Sequence, residues 1–180
     1  MLSISVEEFL IWKKKQLSKG GDQQSFALLL DCIGGISARD LNMISINLEG
    51  KLYLNKNLVF LESIWNDHLL KSCPIQYLCG ITFWRDLKLK VTKKVLIPRP
   101  ETELIVDIVF NIFRRKSEKL FFAELGTGSG AISIALALAY PSSDGVATDI
   151  DQDALEIATK NFLNSSKLSN SIVWKSLKNF

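Results

Sequence analysis

Histidine is nearly missing from this chain and cysteine is scarce: His68 stands alone, and Cys32, Cys73 and Cys79 are an odd three with no Cys-x-x-Cys pair. Zinc and iron–sulfur centres need such ligands clustered at short spacing, so no metal site is expected and the thiols read as free and buried. Long apolar runs are absent too. Stretches such as Ala131 to Tyr140 fall well short of the ~20 residues that cross a bilayer. The opening MLSISVEEFLIWKKKQ sets acids before bases, unlike a secretory leader, so a cytoplasmic protein with no membrane partner is expected. Basic residues form no block of five, and the net charge of +3 is modest for 180 residues, so direct nucleic-acid binding is not expected. Lys13, Lys14 and Lys15 read as a solvated helix face. Neither internal repeats nor low-complexity tracts are visible.

What is present is a chain that is 47% hydrophobic, enough for a real core in one domain plus a smaller one. From Val6 to about Leu70 the apolar residues recur at helical spacing. Phe9, Leu10, Trp12 and Leu17 come before a break at Gly20-Gly21, and Phe26, Leu29, Leu30 and Ile33 come before a stop at Gly34-Gly35. Ser37 with Asp40 predicts a capped third helix, and Leu58, Leu61, Ile64, Trp65 and Leu69 a fourth. Between Pro74 and Pro100 the period drops to two: Leu87, Leu89 and Val91 alternate with Lys88 and Lys90, which predicts a half-solvated hairpin linking two domains. After Pro100 strands and helices alternate. LFFAEL, GVATDI and SIVWK read as strands, and the helices run over Glu103 to Phe113, Ala131 to Ala139 and Asp153 to Leu163, which predicts a parallel, doubly wound α/β sheet.

The stretch FAELGTGSGAISIAL places Gly126, Gly128 and Gly130 between a strand and a helix, where backbone N–H groups and the helix dipole face a ligand. Read as G-x-G-x-x-A with Asp149 about 20 residues on, it passes for a dinucleotide fingerprint. Glu124 argues against that reading, because a carboxylate two residues before the first glycine would repel a pyrophosphate. S-adenosylmethionine, with an ammonium, a sulfonium, a free ribose and no phosphate, suits the site better. Asp149 at the end of the second strand offers two oxygens to the ribose hydroxyls. The same acid, or Asp151 or Asp153, would also serve to cap the following helix.

The segments CPIQYLCGITFW, VLIPRPETELIVDIV and AELGTGSGAI resemble the release factor glutamine methyltransferase family, the HemK or PrmC type, from about residue 20 to residue 175. The run from Pro98 to Glu103, PRPETE, is the most specific piece, since a sister family that methylates a ribosomal protein at glutamine carries Pro-Arg-Ser-Pro there. As a helix start the run also makes physical sense: Pro100 suits the first turn and Glu101 and Glu103 complement the dipole, which leaves Arg99, Thr102 and Glu103 as candidates for lining the donor pocket. The resemblance implies methylation of the glutamine side-chain amide in the Gly-Gly-Gln loop of class I peptide chain release factors, with S-adenosylmethionine as the cofactor. It implies a helical substrate-recognition domain at residues 1–73, a hairpin linker at 74–98, and the first half of a class I, Rossmann-like methyltransferase sheet at 99–180. It also makes Gly126, Thr127, Gly128, Ser129 and Gly130 the donor loop, Asp149 the ribose acid and Leu177 the cover of the adenine. Two departures stand out. Ser176-Leu177-Lys178 has no acid where the family carries one, and the Asn-Pro-Pro-Tyr motif that orients the substrate amide is expected beyond Phe180, so no catalytic residue is assigned within these residues. The competing expectations are a vestigial, non-catalytic protein-binding module, a ribosomal-protein glutamine methyltransferase and a dinucleotide-dependent oxidoreductase.

Overall fold

The computed structural model describes residues 2–46, 50–114, 119–165 and 172–177. Its contacts divide the chain into two compact units, Met1–Cys79 and Gly80–Phe180.

In the first unit, side-chain caps start the helices. Ser5 Oγ accepts from the Glu8 N–H at the head of α1 (Val6–Ser18), and Asp22 accepts from the Ser25 N–H at α2 (Gln23–Leu29). Each such cap satisfies an orphan donor and stabilises by about 1 kcal/mol. The Ser25 hydrogen bonds also hold the Asp22 carboxyl below its ordinary range. α2 widens into a π-helical turn (Leu30–Gly34) that ends at Gly35 in the left-handed region. The reciprocal box before α3 (Ala38–Ile46) forms as expected: Asp40 Oδ2 accepts from the Ser37 N–H at 3.0 Å, and the Asp40 N–H donates to Ser37 Oγ at 3.2 Å.

Asn57 caps α4 (Leu58–Leu70). Phe9, Trp12, Phe26, Leu29, Leu61 and Trp65 form the core of this unit, with Phe26 and Trp65 edge to face at 4.9 Å. The helical pattern did not disclose two further features. β1 (Leu2–Ser5) pairs antiparallel with β2 (Lys51–Leu54), and Ile75–Cys79 forms a short α5. The three cysteines form no disulfide and are only half-buried, and burial, aided by the neighbouring Cys32, pushes the Cys79 thiol up to about 12.

The second unit opens with the hairpin of β3 (Ile81–Trp84) and β4 (Leu87–Lys90). Its period of two is real: Thr82, Trp84, Leu87 and Leu89 are buried, while Phe83, Lys88 and Lys90 face solvent. The buried face packs with Val106, Ala131 and Ile134. Trp84 Nε1 donates to the Arg99 carbonyl at 2.9 Å, which ties PRPETE to the hairpin. A 3-10 turn (Pro100–Thr102) then leads into α6 (Glu103–Ile112), where Arg85 pairs with Asp107 at 2.8 Å and donates its backbone N–H to Glu103.

The sheet follows: β5 (Phe121–Leu125), α7 (Ala131–Ala139), β6 (Asp144–Asp149), α8 (Gln152–Asn164) and β7 (Ile172–Ser176). All three strands are parallel in the order β5-β6-β7, each crossover carries a helix, and β5 lies at an edge among the described residues. Among those residues no helix is long and apolar enough to cross a membrane.

Candidate functional site

The loop from Gly126 to Gly130 joins β5 to α7 at the end of the parallel sheet, where open α/β sheets bind ligands. Gly126, Gly128 and Gly130 all have φ in the left-handed region, at 75°, 54° and 81°. Two kinds of glycine are distinguishable here. A β-carbon added at Gly126 or Gly128 would meet nothing within 4 Å, so the chain is bare where it faces open ground. At Gly130 the same atom would come within 3.1 Å of Ala158 and 3.2 Å of Trp174, so that glycine lets α8 and β7 pack closely.

The loop is held by its own backbone. The Gly126 and Thr127 N–H groups converge on the Thr148 carbonyl at 2.9 and 2.8 Å, and the Gly130 N–H donates to the Thr127 carbonyl at 2.9 Å. Thr127 and Ser129 are buried.

Glu124, near the end of β5, braces the loop from below. Its Oε2 accepts from Thr127 Oγ1 at 2.8 Å, from the Ser133 N–H at 3.1 Å and from Ser133 Oγ. Ser133 is the third residue of α7, so Glu124 satisfies one of the helix's orphan N–H groups and sets a carboxylate at the positive end of its dipole. Burial pushes the Glu124 carboxyl above its ordinary value; hydrogen bonds from Ser133 and Thr127 oppose this, and the charge of Asp149 adds to it.

Asp149 ends β6. Its Oδ2 accepts from the Gly128 N–H at 2.9 Å and its Oδ1 from the Asp151 N–H at 3.0 Å. A carboxylate offers about four lone-pair sites, so each oxygen keeps capacity for a ligand hydroxyl. The cap of α8 is Asp151, whose Oδ1 accepts from the Asp153 N–H, and this frees Asp149 from that duty. Leu177 is half-buried and donates its N–H to the Asp149 carbonyl at 3.0 Å, and Ser176 stands opposite Asp149 in register. Lys178 lies outside the described residues. Glu103 is turned to Arg85.

Sequence reasoning missed Ser133 and Asn161. The available signal was a polar residue inside an apolar stripe: Ser133 in AISIALALA, and Asn161 in line with Ala154, Ile157 and Ala158.

The sheet, with a glycine loop after its first strand and an acid closing its second, has the layout of part of a class I, Rossmann-like methyltransferase sheet, and the family model described as lysine methyltransferase matches residues 97–179. More particularly, the chain is similar to curated release factor glutamine methyltransferases. It is 41% identical over 167 residues to that of Prochlorococcus marinus, covering 92% of this chain and 57% of that protein. It is 34% identical over 154 residues to that of Gloeobacter violaceus, covering 83% and 52%, and 41% identical over 134 residues to that of Coxiella burnetii, covering 74% and 46%.

The chain spans about half the length of the curated relatives it matches. Among solved structures, the N-terminal domain of human METTL16 in complex with SAH aligns at 23% identity with a TM-score of 0.41, over 74% of this chain and 50% of that one. The open ground before Gly126 and Gly128 and the spare lone pairs on Asp149 leave room for a ligand that bears hydroxyl groups.

Proposed function

We propose that this chain carries the methyl-donor site and the protein-recognition unit of an S-adenosylmethionine-dependent enzyme that methylates the glutamine side-chain amide in the Gly-Gly-Gln loop of class I peptide chain release factors, in the cytoplasm. The carrying observation is the Glu124 carboxylate on the Ser133 N–H at the head of α7. Dinucleotides set their pyrophosphate at that helix end. Here a buried carboxylate already occupies it, which disfavours a phosphate and favours a donor bearing positive charge. In this reading Asp149 accepts from the ribose hydroxyls, the backbone at Gly126 and Gly128 lies against the donor, and Leu177 covers the adenine.

The bound donor supplies an electrophilic methyl group on sulfur. Transfer of that methyl would form a carbon–nitrogen bond at the amide as the carbon–sulfur bond broke, and the amide would shed a proton. Because an amide nitrogen is a poor nucleophile, the rate depends on holding it in line through hydrogen bonds to its N–H groups. The sequence contains no Asn-Pro-Pro-Tyr, so that positioning is assigned to no residue here.

Glutamine is favoured over lysine as the acceptor. The lysine methyltransferase model matches only residues 97–179, which contain the donor loop, whereas the likeness to the glutamine enzymes runs over 92% of the chain and includes the helical unit. Release factors are favoured over a ribosomal protein by Pro98-Arg99-Pro100.

Calorimetry of the chain with S-adenosylhomocysteine and, separately, NAD tests the donor reading. Binding of the first alone is expected, and binding of NAD alone would overturn it. A folded chain that binds neither supports the second reading, a non-catalytic protein-binding module, which Ser176 in place of an acid favours.

A further inference from the structure

Asn161 is a polar side chain sealed inside the second unit, 2% exposed, on the face of α8 that carries Ala154, Ile157 and Ala158. Burying an amide there is costly unless its groups are paired. All three of these side-chain hydrogen bonds go to backbone. The Lys90 N–H donates to Asn161 Oδ1 at 2.7 Å, and Asn161 Nδ2 donates to the Lys90 carbonyl at 3.0 Å and to the Ser129 carbonyl at 2.9 Å. A single amide thus answers both backbone groups of Lys90 as a neighbouring strand would, and spends its second N–H on the middle of the glycine loop.

The chemistry is demanding. The position needs one acceptor and two donors in one plane at this reach. Aspartate at neutral pH offers no donor, leucine offers neither, and glutamine is a methylene longer. Ser129 lies between Gly128, whose N–H meets Asp149, and Gly130, the N-cap of α7. Glu124 grips the loop through Thr127 and Ser133, and Asn161 grips it through Ser129 from another element. Gly126 and Gly128 face open space, so the loop's aim depends on these grips.

The geometry points to Asn161 as a positioning residue for the donor loop, its amide fastening the Ser129 carbonyl to the Lys90 backbone of the hairpin so that the Gly128 backbone is presented to the methyl donor. The inference rests on reading this loop as the donor site. It also makes the hairpin part of the donor site's frame, since a shift of Lys90 is passed to Ser129 through one rigid group.

The test compares Asn161→Asp with Leu155→Ala, a buried core change on the same helix that lowers stability while keeping the Asn161 amide. Two signals are read on the 180-residue chain: the Gly130 amide resonance, which reports the hydrogen bond on the Ser129 carbonyl, and the affinity for S-adenosylhomocysteine. Asn161→Asp is expected to shift the resonance and weaken binding by about tenfold or more, as losing a buried bond implies, while Leu155→Ala leaves both in place. An unshifted Gly130 resonance, or an equal loss of affinity in Leu155→Ala, overturns the proposal. If Asn161→Asp does not fold, Asn161→Ser, which keeps a donor and an acceptor at shorter reach, is read the same way. A wild-type chain that ignores S-adenosylhomocysteine defeats the donor reading itself, and the Gly130 resonance still decides whether Asn161 holds the loop.

Discussion

The Gly128 N–H donates to Asp149 Oδ2 at 2.9 Å, joining the centre of the glycine loop to the end of the neighbouring strand across 21 residues of sequence. Asp149 therefore serves the loop and, in the proposed function, the donor's ribose. Replacing it with alanine is expected to weaken S-adenosylhomocysteine binding by ~1.5–3 kcal/mol, the range for hydrogen bonds to a charged group. Asp149→Asn keeps an acceptor and is expected to lose less. Calorimetry on the three proteins decides, and unchanged affinity in the alanine variant removes Asp149 from the site.

Glu124 makes the stability of the second unit depend on pH. Its carboxyl is raised above the ordinary 4.5, chiefly by burial, so the folded chain holds that proton more tightly than the unfolded chain does. The contribution is fully present below 4.5 and is lost as pH rises through the raised folded value. Glu124→Gln keeps an oxygen for Ser133 and Thr127 but cannot ionise. Relative to this variant, wild-type stability in urea is expected to fall as pH climbs from 4.5 towards neutrality, and parallel curves for the two proteins contradict the assignment.

The two kinds of glycine separate folding from binding. Gly128→Ala places a side chain at φ 54° in open space, so the expected loss of stability is the left-handed strain of ~1–2 kcal/mol, accompanied by lost donor affinity. Gly130→Ala adds a clash with Ala158 and Trp174, and about 2–4 kcal/mol is expected in all. Urea titrations rank the pair. A Gly130→Ala protein no less stable than Gly128→Ala contradicts the packing argument.

Much of the second unit was legible because each element carries its own period. The apolar run from Ala131 to Ala139 is helical over those residues, and Leu87, Leu89, Lys88 and Lys90 alternate as read. The pair β1 and β2 was not legible, since four residues of alternation beside a helix do not outweigh the helical pattern, and their pairing joins positions about fifty residues apart. Ser133 and Asn161 were missed for a related reason. Periodicity shows a polar residue on an apolar face but not its partner, and the partners here, Glu124 and the backbone of Lys90 and Ser129, come from other elements. Asp149, Asp151 and Asp153 were equivalent as caps by spacing alone, and only the observed bond from the Asp153 N–H assigns the cap to Asp151.

Methyl transfer is expected to need more than the donor half. Incubated with labelled S-adenosylmethionine and an unmodified release factor, these 180 residues are expected to give no signal above a no-enzyme control. The same chain extended by a family segment carrying Asn-Pro-Pro-Tyr is expected to label the glutamine. Label transferred by the 180 residues and abolished by Gly128→Arg would show that amide positioning does not require that motif.

The edge of the sheet leads to the last prediction. Among the described residues β5 pairs only with β6, and Phe121 and Leu125 at its ends are each 76% exposed. α6 shows solvent Leu104, Ile105, Ile108 and Ile112. An open row of backbone donors and acceptors beside exposed apolar side chains favours edge-to-edge association, and an apolar helix face adds to it. The 180-residue chain is therefore expected to self-associate with rising concentration, and Phe121→Lys with Leu125→Lys to return it towards monomer. Amide exchange is expected to be faster in β5 than in α4, whose Leu61 and Trp65 are fully buried. Light scattering and exchange measured together test both statements. A monomer at high concentration with β5 amides as protected as those of α4 would mean that the edge is covered, and the prediction would fail.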